Sequence, residues 1–408
     1  MNLRDHAQII IDKTIEAVLP NEAVKRALGQ IDFNGKDIYL VSIGKAGFSM
    51  AKAASEMLGD KITKGIVITK YDHVQGDLVN IDSYEAGHPI SDENTYKATK
   101  KAIELADSLK EDDVLIFLVS GGGSALFEDP IIDTDELENI NKQLLDSGAS
   151  ITEINTIRKR LSNVKGGKFA KRAHPASVHA IILSDIIGDP LDMIASGPAF
   201  ADSSTKEDAL RIIDKYSLDL SDQVLDLIQN ETPKSVENVE NYITGSVSQL
   251  CSFAEITAES LGYKTLILTD RLECQAKEAG LFLGAIAKTY KDQGPIAIIS
   301  GGETVVNITG SGKGGRNQEI ALSAAPIISG LDNVLIFSVG SDGTDGPTDA
   351  AGGIVDGSSY RKLKEKGLDS YHILKENDSY RALAEIDGLV MTGPTGTNVN
   401  DFQVILIK

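Results

Sequence analysis

The chain has 408 residues, 41% of them apolar, which is more than one hydrophobic core usually organises and points to two domains. Its 40 basic and 60 acidic residues give a net charge of −20, a field that repels nucleic acid and anionic membrane, so neither is an expected partner. No apolar run reaches the roughly 18 residues of a membrane span, and Cys251 and Cys274 alone cannot build a disulfide scaffold or a thiolate zinc site.

Residues 1–19 mix apolar positions with Arg4, Asp5, Asp12, Lys13 and Glu16, the pattern of an amphipathic helix rather than a signal peptide, and a cytoplasmic enzyme is expected. A strand at 38–43 runs into Gly44, Lys45 and Ala46, then into a helix of small residues. Strands follow at 65–69 and 81–86, with a helix from an N-cap at Ser91 to Leu109. Residues 114–119 are apolar on both faces, as a buried parallel strand requires, and end in Ser120 and three glycines. Residues 178–183 repeat the theme and end in Ser184 and Asp185. The alternation predicts a doubly wound, Rossmann-like parallel sheet.

The polar stretch 229–241 reads as a linker. Beyond it come helices at 248–261 and 273–290, strands at 264–268, 296–299, 304–308 and 334–339, and a final strand at 402–407. The expected domains are therefore 1–235, to whose sheet the terminal segment 388–408 returns, and a smaller α/β domain at 236–387.

Ligands of open α/β sheets bind beyond the carboxyl ends of strands, where glycine lets the backbone approach a phosphate closely. Glycine clusters fall at such ends: 44–47, 120–124, 300–304, 310–316, 340–346 and 392–398. Lys45 follows a strand, so its ammonium can stand beside a bound anion. The loop lacks the Gly-Lys-Ser/Thr ending of a Walker A motif. Residues 154–175 carry seven bases and no acid, a candidate local cationic site, with Arg158 and Lys165 the first choices for contact with an anionic substrate. Residues 310–315 match the dinucleotide pattern G-x-G-x-x-G, although the acid expected about 20 residues on has no clean counterpart. Arg316 follows at once, suited to bidentate contact with a phosphate and to a charged transition state. Asp185 and Asp189 are candidates for holding Mg²⁺, and Asp185 also for accepting a hydroxyl proton.

Taken together, VSIGKAG (41–47), AGHPISDENT (86–95), LVSGGGSAL (118–126), NTIRKRLSNVKGGKFA (155–170), SGGETVV (300–306), KGGRNQEIAL (313–322) and TGPTGTNVNDF (392–402) resemble the glycerate 2-kinases whose C-terminal half carries a MOFRL domain. The resemblance spans nearly the whole chain. It implies ATP- and Mg²⁺-dependent phosphorylation of D-glycerate to 2-phosphoglycerate, on two α/β domains with the active site in the cleft between them. By that resemblance Lys45 and Arg316 are the matching catalytic cations, and Asp185, from its place at a strand end, is the third catalytic candidate. Ser120, Gly121, Gly122, Gly123, Ser124, Arg158 and Lys165 are assigned to the substrate. Gly44, Gly301, Gly302, Glu303, Gly315, Asn317, Gly343, Thr344, Asp345, Gly396, Thr397 and Asn398 are assigned to the nucleotide. The sequence departs from the family at Phe127-Glu128-Asp129, where small or apolar residues are expected.

Two other classes stay open on the residues alone. One is an NAD(P)H-dependent reductase of hydroxypyruvate, resting on the 310–315 pattern. The other is a non-catalytic sensor of sugar acids or nucleotides. Nucleotide and metal preference are also open, as is the choice between monomer and homodimer.

Overall fold

A computed structural model of the protein describes residues 2–33 and 35–408. They form two units, and the division is not linear: one holds 23–184 and 189–244, the other 1–22, 185–188 and 245–408.

In the first unit β1 (Ile38–Ile43), β2 (Ile62–Lys70), β3 (Ile81–Ala86), β4 (Val114–Val119), β5 (Ser177–Leu183) and β6 (Val239–Gly245) form one sheet in the order 3-2-1-4-5-6. Every pair from β3 through to β5 is parallel. All six residues of β4 are buried, which explains its unbroken apolar run. The chain leaves β1 and β4 toward opposite edges, so their adjacent carboxyl ends form the topological switch point where such folds bind ligands. The helix after β3 starts one residue later than expected: Asp92, not Ser91, is the N-cap, accepting from the Thr95 N–H at 2.9 Å. The expected linker at 229–241 leads into β6, which extends the sheet.

The bases at 154–175 belong to the frame of this unit. Lys159 lies 3.1 Å from Asp202 and 3.2 Å from Asp192, and the Arg160 guanidinium 3.6 Å from Asp202 and 3.3 Å from Glu231. Lys168 donates to the carbonyls of Lys159, Arg160 and Ser162, at the end of the helix Ile151–Arg160. Ion pairs and carbonyl contacts thus commit Lys159, Arg160 and Lys168 to the fold, while Lys171 is exposed and Arg172 pairs with Asp107 at the surface.

The second unit is a mixed sheet of β7 (Lys264–Leu272), β8 (Ile296–Gly302), β9 (Val334–Gly340), β10 (Gly352–Asp356), β11 (Leu389–Val390) and β12 (Asp401–Ile407), in the order 11-10-9-12-8-7. β7 and β8 are parallel and the other pairs antiparallel. The C-terminal strand thus does not return to the first sheet. It lies between β8 and β9, and its seven buried residues need neighbours on both edges and both faces. The expected first domain, 1–235, is corrected as well. The helix Leu3–Ala17 buries Ala7, Ile10, Ile11 and Ile15 in a core shared with Leu250, Phe337 and Phe402 of the second unit. No strand forms at 304–308, where Val305 makes an isolated bridge to Gln275 and Ile308 is 84% exposed.

Asp202 is the shared counter-ion of Lys159 and Arg160, and Thr232 and Ser204 also donate to it. Asp202→Ala strands Lys159 and Arg160 without their shared counter-ion, and about 3–5 kcal/mol of stability should be lost. The check is urea unfolding, read as a lower midpoint for the transition of this unit.

Candidate functional site

At the switch point the ends of β1 and β4 are tied together through Ser120. Its N–H donates to the Ile43 carbonyl at 3.0 Å, its hydroxyl donates to the same oxygen at 3.1 Å, and it accepts from the Ala46 N–H at 3.1 Å. The Lys45 N–H donates to the Gly121 carbonyl at 2.8 Å. Such closeness requires glycine at position 44, where φ is +106° and a Cβ would stand 2.3 Å from the Ser120 hydroxyl oxygen. Gly122 has φ +83°, and a Cβ there would lie 3.0 Å from the His88 imidazole and 3.1 Å from Lys45 Cγ.

The glycine loop presents unused donors. Among the described residues the N–H groups of Gly121, Gly122 and Ser124 have no acceptor, while that of Gly123 turns back to Ser120. Nor do Lys45, Lys70 at the end of β2, and His88 after β3 make a side-chain hydrogen bond or ion pair there. Burial, then Lys45, then Lys70, hold the His88 imidazole below its ordinary pKa, which places the three groups within electrostatic reach of one another. These three groups form a local cluster of basic side chains in an acidic chain. His88 was legible in the sequence only as a residue before proline.

Two predicted substrate ligands instead brace this loop from beneath. Lys165 is fully buried and gives all three ammonium hydrogens to the protein: to the Ser124 carbonyl at 2.9 Å, the Phe127 carbonyl at 2.8 Å and the Glu128 carboxylate at 2.9 Å. Burial pushes it down to about 8, against the pull of Glu128. Arg158 donates to the Ser124 carbonyl at 3.0 Å and lies 3.6 Å from the same carboxylate. The departure at Phe127-Glu128-Asp129 is explained by these contacts. Glu128 is the buried counter-ion of both bases, Phe127 packs on Phe117 and Phe169, and Asp129 accepts from Asn163. Ser124 joins Ser196 at 2.9 Å, and Ser196 donates to Asn155 at 3.0 Å.

The second unit holds a separate centre at the start of the helix Arg316–Ala324. Arg316 is clamped by Asp401 through Nε and Nη2, at 2.6 and 3.0 Å, and its Nη1 donates to Glu303 at 2.7 Å. A cavity of about 750 Å³ lies beside it, lined by Glu303, Gly315, Arg316, Glu319, Thr344 and Asp345 among others, so four predicted nucleotide ligands converge there. Burial pushes Asp401 up to about 6, with Arg316 pulling down and Asp345 pushing up. Asp185 belongs to this unit too. Its carbonyl accepts from Asn400, the neighbour of Asp401, at 3.1 Å.

Other predicted nucleotide ligands are committed to the fold. Asn317 is buried between Ser338 and Asp345, and the Thr397 hydroxyl donates to the Val18 carbonyl at 3.1 Å. Gly301 and Gly302 are packed against Cys251 and Leu272, and Gly343 against Gly393. Gly396 has open space at its Cβ position, and Asn398 accepts only a 3.4 Å contact from Asn400.

The dinucleotide pattern at 310–315 has a structural cause. Gly310, Gly312 and Gly314 lie against residues 376–379, and the N–H groups of Gly312 and Lys313 are spent on Glu376 and Asp378. The helix start that would hold a pyrophosphate is filled by Asp345, which accepts from Asn317 N at 3.1 Å and Gln318 N at 2.9 Å. That occupancy removes the basis for the reductase reading.

Comparison with known proteins gives a consistent result. A model described as a domain of unknown function (DUF4147) matches residues 6–229, and the MOFRL family model matches 296–401. The D-glycerate 2-kinase of Thermotoga maritima is 52% identical over all of this chain and 99% of its own length. The glycerate 2-kinase of Pyrococcus horikoshii is 41% identical over 100% and 98%. A putative hydroxypyruvate reductase of Agrobacterium vitis is 40% identical over 90% of this chain and 86% of its own. The crystal structure of the Thermotoga maritima glycerate kinase superposes with a TM-score of 0.94, covering 100% of this chain and 99% of that one.

The proximity of Lys45 to His88 is directly measurable. In Lys45→Met the His88 imidazole loses a neighbouring positive charge, so its pKa should rise relative to the parent protein, with Lys70→Met producing a smaller rise. Titration of the histidine ring protons by NMR reads both shifts, and an unmoved His88 signal would contradict the arrangement.

Proposed function

Because the chain belongs to the glycerate kinase family, whose members it matches from end to end, we propose that it transfers the γ-phosphoryl group of ATP to the 2-hydroxyl of D-glycerate. The observation that carries this reading is the loop at the switch point. The open N–H groups of Gly121, Gly122 and Ser124 and the uncommitted ammonium of Lys45 make a cradle for a small carboxylate or phosphate. Lys165 and Arg158 serve it by fixing the loop, so the cradle is preorganised before substrate arrives.

ATP is assigned to the cavity beside Arg316, where Glu303, Gly315, Thr344 and Asp345 lie. Arg316 has five N–H groups and spends three on Asp401 and Glu303. The remaining two are available to the oxygens of the transferring phosphoryl group, whose charge spreads over its equatorial positions.

Carboxylates outnumber the guanidinium along that cavity, so a triphosphate needs a divalent cation to enter it, and oxygen donors suit Mg²⁺. The described residues contain no group of three metal-ligating side chains, in keeping with an ion that takes its other ligands from phosphate and water. Asp185, partly exposed and with its backbone fixed by Asn400, is the residue assigned to hold the ion. Bound there, Mg²⁺ would neutralise charge on the phosphate oxygens. Asp185 is equally placed by type to accept the proton of the attacking hydroxyl. The enzyme is expected to work in the cytoplasm on these two small substrates.

Incubation with D-glycerate, ATP and Mg²⁺, followed by phosphorus NMR, should show 2-phosphoglycerate accumulating as ATP is consumed. Accumulation of 3-phosphoglycerate would overturn the regiochemistry, and NADH oxidation by hydroxypyruvate without ATP consumption would overturn the reaction class. Lys45→Ala should lower kcat/KM by about 10²–10³, the scale for removing one preorganised charge stabiliser.

A further inference from the structure

The arginine at the phosphoryl end of the reaction is held by two carboxylates of different character. Asp401 is 1% exposed and grips Nε and Nη2 together in a planar, two-point contact. It begins β12, paired across to Gly302 of β8 and Gly340 of β9, so its backbone is fixed from both sides. Glu303 follows Gly302 directly, outside the strand. Its side chain is 45% exposed and reaches Nη1 alone, through one contact. A single-point pair open to solvent is weak and readily exchanged, whereas a buried two-point pair is not.

We propose that Asp401 positions Arg316 for the transfer, and that Glu303 is a counter-ion which the phosphate oxygens of ATP displace from Nη1. This rests on the kinase reading given above. Asp401 touches no substrate; it acts by holding the plane of the guanidinium, so that the Nη1–H released from Glu303 points where the phosphoryl charge develops. An arginine with no buried anchor would leave with whichever anion it met. An arginine with two permanent anchors would have less to offer. The unequal pair provides a fixed hinge and a replaceable cap. Protonation tests the same hinge, because Asp401 faces Arg316, Asp345 and Asn317, and burial pushes it up to about 6. Its carboxylate form is the one that holds Arg316, so the kcat of the parent enzyme should fall as pH drops through that value.

The test uses the full-length enzyme with D-glycerate and MgATP, starting from a parent shown to be active. An inactive parent would refute the kinase reading itself, separately from this proposal. Asp401→Asn should lower kcat about 100-fold, the scale of a misplaced charge stabiliser, with the KM for D-glycerate within about threefold of the parent. It should also lose the acid limb of the pH profile. Combined with Arg316→Ala it should be no slower than Arg316→Ala alone, whereas a merely structural role would add to the loss. Glu303→Gln should lower the KM for ATP several-fold. The proposal is overturned if Asp401→Asn keeps the kcat and acid limb of the parent, or if Glu303→Gln raises the KM for ATP, which would make Glu303 a direct ligand. Thermal melting establishes whether Asp401→Asn folds; should it not, the acid limb of the parent and the Glu303→Gln result decide in the same way.

Discussion

A cation taken out of water must meet a counter-charge where it is buried, and this constraint organises the whole molecule. Lys159 and Arg160 meet Asp202, Lys165 meets Glu128, and Arg316 meets Asp401. Leaving any of these unpaired costs several kcal/mol, so in a chain of net charge −20 most of the basic helix 151–160 is recruited as internal bracing. The bases left for a ligand are those that never enter the interior. Lys45, Lys70 and His88 stand at the ends of three adjacent strands with no partner among the described residues. An acidic protein can therefore bind an anion without a basic surface.

The same economy explains how the glycine loop is held. Its outward N–H groups are free because its inward carbonyls are occupied: Gly121 by the Lys45 N–H, and Ser124 by Lys165 and Arg158. Arg158 and Lys165 thus act on the loop through the backbone carbonyls they hold.

Legibility followed the range of the interaction. The strands at 38–43 and 114–119 were readable because burial leaves a nearly unbroken apolar run, whereas in 81–86 only the end residues Ile81 and Ala86 are buried. The places of Lys45 and Arg316 beside glycine loops are local features, visible in the sequence without any distant partner. What failed depended on partners far away in the chain. The glycines at 310, 312 and 315 imitate a dinucleotide loop, yet the first two are small because Glu376 and Asp378 pack against them and the third because Asp345 does. Arg158 and Lys165 resembled a substrate site because nothing near them in sequence announces Glu128 as their counter-ion. The helix Leu3–Ala17 shows a clear apolar face, but periodicity does not say which core receives it. Asp401 escaped notice for the same reason: in the sequence it is one more acid before a strand.

The interleaving of the chain gives the C-terminal strand a second task. β12 is the centre of its sheet, and its first residue, with the residue before it, carries two of the contacts that matter for chemistry. Asp401 sets the plane of Arg316, and Asn400 fixes the backbone of Asp185, which arrives from β5 of the other sheet on the four-residue excursion 185–188. Sheet register, set by the apolar run at 402–407, is thus what brings the arginine and the aspartate into one unit. A one-residue slip of β12 would turn its buried faces over and move both contacts together. The strand that closes the core is also the element that anchors Arg316 and the backbone of Asp185, so core packing and these two contacts draw on the same hydrogen-bonded ladder.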